Sequence, residues 1–96
     1  MYTTQEINKN VDPKYFNILG KSAFTVTLQS KNTKHCWHIL DREYSRQSSV
    51  AILHTHTYGT EYHMQGQAPN LELAIKQIKM HDDYHLRVRI PNKRNK

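Results

Sequence analysis

The sequence predicts an α+β domain: a short N-terminal helix, a four-stranded antiparallel meander, one longer helix, and a final strand completing a mostly antiparallel sheet. Three observations predict it. Residues 24–29 (Phe-Thr-Val-Thr-Leu-Gln) alternate apolar and polar with period two, the pattern of a strand with one buried face. Leu71, Ala74, Ile75 and Ile78 recur at the spacing of one helical face. The order of these and the flanking segments, helix, four strands, helix, strand, is that of a sheet with helices on one face.

Each element has a local reason. Residues 1–10 are polar and are expected to be a flexible N-terminus ahead of a single domain over 11–91, with 92–96 a basic tail. Asp12-Pro13 reads as an N-cap with Pro at the first helical position, and Gly20 as the stop. Tyr15, Phe16, Ile18 and Leu19 give that short helix its apolar stripe. After the strand over 24–29, residues 30–34 make a turn and 35–40 a second strand, with Trp37 and Ile39 on its core side. A polar loop over 41–48 leads to a third strand over 49–57, and a fourth covers about 60–65. Asn70 is a good N-cap for the long helix, which the acidic pair Asp82-Asp83 interrupts. Leu86, Val88 and Ile90 alternate with His85, Arg87 and Arg89 in the last strand, which ends at Pro91.

Composition bounds the rest. With 96 residues and 36% hydrophobic content the core must be thin and aromatic-rich, drawing on six Tyr, two Phe and one Trp. The single Cys36 closes no intramolecular disulfide, which fits a reducing cytoplasm. The first residues have neither the charged start nor the apolar run of a signal peptide, and the longest apolar run, residues 50–53, is far short of a membrane span. Fourteen Lys and Arg against eight Asp and Glu leave a formal charge of +6, which favours nucleic acid, nucleoprotein or acidic protein partners.

The densest chemistry lies at His54-Thr55-His56-Thr57-Tyr58-Gly59-Thr60-Glu61-Tyr62-His63. If Tyr58-Gly59 is a two-residue hairpin turn, Thr57 faces Thr60, His56 faces Glu61 and His54 faces His63. His54, His56, Glu61 and His63 then share one face as nitrogen and oxygen donors suited to zinc or another divalent ion. A three-residue turn slips the register and sends His63 to the other face.

A second feature is the basic end. Arg87 and Arg89 fall on one face of the predicted last strand and run into a tail carrying Lys93, Arg94 and Lys96. Guanidinium forks and a cationic tail suit phosphate contacts with little sequence discrimination. Tyr58 at the hairpin tip suits stacking on an unpaired base.

The expected function is a small cytoplasmic binding or regulatory module, leaning away from an enzyme. It would engage nucleic acid or a nucleic-acid-handling protein through Arg87, Arg89, Lys93, Arg94, Lys96 and Tyr58. The alternative is a metal-dependent or histidine-based, nuclease-like hydrolase centred on His54, His56, Glu61 and His63, with two of His54, His56 and His63 as acid and base. A second alternative is a homodimeric interaction or inhibitor subunit of a phage or mobile element, since the Asn-, Lys-, Gln- and Tyr-rich composition suits a bacterial or phage accessory protein. No cofactor is expected except, on the hydrolase reading, a divalent metal such as zinc, and no membrane partner is expected.

Overall fold

The computed structural model describes residues 1–42, 49–57 and 59–89. Helix α1 (Thr4–Asn10) precedes five strands, β1 (Phe16–Lys21), β2 (Thr25–Ser30), β3 (Cys36–Arg42), β4 (Ser49–Thr55) and β5 (His63–Ala68). Helix α2 (Leu71–Tyr84) follows and runs into a π-helical turn, His85–Arg89. The strands form one antiparallel sheet in chain order. The class is therefore α+β, with a short helix, five antiparallel strands in one sheet and one longer helix. No helix among the described residues is long and apolar enough to cross a membrane.

The core lies between the sheet and the helices. Val26, Leu28, Trp37, Ile39 and Ile52 from the sheet pack with Leu71, Ala74, Ile75 and Ile78 of α2, and Tyr2 and Ile7 close the α1 end. Asn70 caps α2 as its sequence predicts, its Oδ1 accepting from the Leu73 N–H at 2.9 Å.

The ends of the chain differ from expectation. The expected loose N-terminus holds α1, which starts at a capping pair: the Thr3 hydroxyl accepts from the Glu6 N–H at 3.0 Å. The expected helix after Asp12-Pro13 lasts a single turn, in which the Asp12 carbonyl accepts from the Tyr15 and Phe16 N–H groups. The chain then becomes β1, because so short a segment is marginal as a helix, whereas β2 offers it a ladder. Phe16 goes inward at 1% exposure while Ile18 and Leu19 face out on an edge strand.

The expected last strand over 86–90 is also corrected. Residues 85–89 prolong α2 as a π-helical turn, so Arg87 and Arg89 do not share a strand face. Asp82-Asp83 does not end the helix, because each carboxylate has work there. Asp82 is fully buried and accepts from Tyr15 and Thr33, and Asp83 pairs with Arg87 one turn on (2.8 Å).

One sheet row and one bulge position the site described next. Leu28, Trp37, His54 and His63 are mutually opposed across β2, β3, β4 and β5, so the row runs from the core to an open edge. Ala68 and His63 are an odd number of residues apart and would face opposite sides of a regular strand. The register shift between Ile52↔Gly66 and Leu53↔Met64 inserts Gln65 as an extra residue and returns His63 to the helix side.

Candidate metal site: an imidazole cluster

The sheet row puts His54 where an apolar residue is expected. It is 1% exposed and stacks on Trp37 with ring centroids 4.2 Å apart. Trp37 is itself fixed by a 3.0 Å hydrogen bond from its Nε1–H to the Ser30 hydroxyl. His35 enters from the turn between β2 and β3, where Lys34 takes φ +67° and the Ser30 N–H donates to the His35 carbonyl. That turn folds the His35 ring inward to 4% exposure. From the opposite layer α2 contributes His81, and His85 stands four residues later, on the same side of the helix.

Six of the seven histidines meet here. Ring centroids lie 5.0 Å apart for His35 and His54, 5.0 Å for His54 and His81, 4.7 Å for His35 and His85, and 6.0 Å for His35 and His81. His56 stacks on His35 at 4.3 Å with rings 3° from parallel, and His63 meets His54 edge-on at 5.4 Å. His35 and His54 are buried, His81 and His85 half-buried, and His56 and His63 exposed. One nitrogen from each of His35, His54 and His81 lies within 4.8 Å of the other two.

Electrostatics keeps the inner rings neutral. Burial, reinforced by the neighbouring imidazoles, lowers the pKa of His35 to about 4 and that of His54 to about 3. Both therefore present lone pairs at neutral pH. His54 Nε2 and His35 Nδ1 share a hydrogen bond of 3.2 Å, whose donor depends on the tautomer. Either assignment leaves His54 Nδ1 buried with no hydrogen-bond partner among the described residues. An orphaned buried nitrogen costs about 1–3 kcal/mol, which a bound cation can offset.

Asp82, the residue after His81, braces the helical side of the cluster. Its carboxylate accepts from the Tyr15 hydroxyl at 2.8 Å and the Thr33 hydroxyl at 3.0 Å, tying α2 to the turn before β1 and to the turn that carries His35. Burial and this carboxylate raise the Tyr15 pKa to about 12.

Of the residues singled out in the sequence, the structure brings His54, His56 and His63 together, with His54 opposite His63 in the ladder. Gly59 takes φ +91°, and the Thr55 and Thr60 hydroxyls bond across the hairpin. Glu61 is exposed in the segment before β5 and lies outside the converging trio. Arg87 pairs with Asp83 on the π-helical turn. Tyr58, Lys93, Arg94 and Lys96, and the Arg89 side chain, lie outside the described residues. Sequence reasoning missed His35, His81 and His85. The His81–His85 spacing, two imidazoles one helical turn apart, was the available signal. No protein-family model matches the chain, and neither a curated protein nor a solved structure matches it.

Proposed function

We propose that this protein binds a divalent transition-metal ion through His35, His54 and His81. The observation that carries the reading is convergence: three imidazole nitrogens from a turn, a strand and a helix lie within 4.8 Å of one another, two of them on rings at 4% and 1% exposure. Tetrahedral zinc, with bonds of about 2.0–2.1 Å, sets its ligands roughly 3.3 Å apart, so modest side-chain rotation closes the set. Neutral imidazoles suit zinc, copper or nickel, whereas magnesium and calcium call for oxygen. His35 and His54, already unprotonated at pH 7, give up no proton when the ion arrives.

Three protein ligands leave a fourth position that water fills in zinc chemistry. The cavity beside His81, bounded by Trp37, Ile52, Gln65, Gln77 and Ile78, is about 60 Å³, room for about two waters. Equilibrium dialysis of metal-stripped protein against Zn²⁺ tests the reading, with one retained ion per chain expected. His81→Gln, at a half-buried position, should lower affinity at least about tenfold while leaving the circular dichroism spectrum unchanged. Equal retention by parent and variant would count against the site.

The net charge of +6 supports a second reading, contact with nucleic acid through Arg87 and the cationic tail. Its test is anisotropy of labelled DNA and RNA across a salt series, where a linear fall of log affinity with log salt is expected and absence of binding at low salt contradicts it.

A further inference from the structure

We propose that His56, His63 and His85 form a loading tier that passes a divalent transition metal between solvent and the inner His35–His54–His81 set, of which His35 and His54 are buried; this rests on the metal reading above. The buried ligands need such a route. His54 and His35 are 1% and 4% exposed, and an ion shedding its whole water shell to reach them would meet a large desolvation cost.

The outer rings are arranged against the inner ones pair by pair. Exposed His56 lies face to face on His35 at 4.3 Å, and exposed His63 meets His54 at 5.4 Å. His85, 4.7 Å from His35, is half-buried, and its Nδ1 has no hydrogen-bond partner among the described residues. A ligand on the hairpin and one on the helix thus flank the same inner ring, and a single ring-to-ring step separates each tier. The hairpin that carries His56 and His63 is held by its own threonines: the Thr60 hydroxyl donates to the Thr57 carbonyl at 2.6 Å.

The transfer is ligand exchange. A hydrated ion loses one water as His56 or His85 bonds to it. The bond to His56 or His85 then breaks as a bond to His35 forms, His54 and His81 each displace a further water, and the ion ends four-coordinate with one water kept and the others released to solvent. The ion keeps its charge, and no electron changes hands.

Stopped-flow mixing of metal-stripped protein with Zn²⁺, and of the zinc form with excess chromophoric chelator, reads loading and release. In the triple variant His56→Asn, His63→Asn, His85→Asn, which removes the hairpin and the helix entry together, both rates should fall by at least about tenfold, while the equilibrium affinity for the first zinc stays within about threefold. Unchanged rates would overturn the loading tier and leave the buried site standing. A loss of affinity without slower loading would also overturn it, since it would make the outer rings resident ligands. A parent protein that retains no zinc would remove the buried site itself and the tier with it.

Discussion

Asp82 shows how much one side chain carries here. Its carboxylate is fully buried, and both of its hydrogen-bonding partners come from elements distant in the chain. Asp82→Ala leaves two hydroxyls without their acceptor, and a loss of about 2–4 kcal/mol is expected in urea denaturation. Asp83→Ala breaks an ion pair whose side chains are 57% and 72% exposed, and should cost less than about 0.5 kcal/mol. Equal losses for the two variants would show that Asp82 is no brace. At this scale the site was half legible in the sequence. His54, His56 and His63 sit within ten residues, and strand periodicity with a glycine turn suffices to put His54 opposite His63. His35, His81 and His85 join them only through the packing of α2 on the sheet, which no local pattern encodes. Glu61 fell away because the ladder closes at His54 and His63, short of the His56–Glu61 pair.

Among the elements, the strand expected over about 60–65 begins at His63 and runs to Ala68, whereas α2 and the strands β2 to β4 follow from periodicity and from the Asn70 cap. The ends do not, because each offered two local readings and tertiary contacts decided between them. Tyr15, Phe16, Ile18 and Leu19 fit a helical stripe, but a partner edge on β2 drew the last three into an edge strand and left Tyr15 in the turn before it. Leu86, Val88 and Ile90 alternate like a strand, but α2 was already under way and the Asp83–Arg87 pair favours another turn. Thr3-x-x-Glu6 was a readable capping pair within a polar segment. Thr3→Ala should therefore cost about 1 kcal/mol, as should Asn70→Ala. Thermal melts of the two variants check this, and a Thr3→Ala protein that melts with the parent would mean that α1 contributes no stability.

For the whole molecule, burying His35 and His54 ties stability to protons and, on the metal reading, to an ion. His35 and His54 have folded-state pKa values of about 4 and about 3, below the 6.5 of an unfolded chain. Between those values and 6.5 the unfolded chain binds more protons than the folded one, so stability rises with pH across that window. The metal-free protein should be most stable above about pH 6.5 and lose stability progressively as the pH falls toward 4. A drop in melting temperature of at least about 5 °C from pH 7.5 to pH 5, with chelator present, is expected for a chain of this size. A melting temperature that holds or rises would contradict neutral buried rings. Zinc at neutral pH should act in the other direction, because an ion held only by the folded state stabilises it. The most direct test of the central claim is a long-range ¹H–¹⁵N spectrum of the imidazole nitrogens, recorded before and after one equivalent of Zn²⁺. The account predicts that the metal-dependent shifts fall on one nitrogen each of His35, His54 and His81, whereas shifts confined to His56 and His63, or none at all, would contradict it.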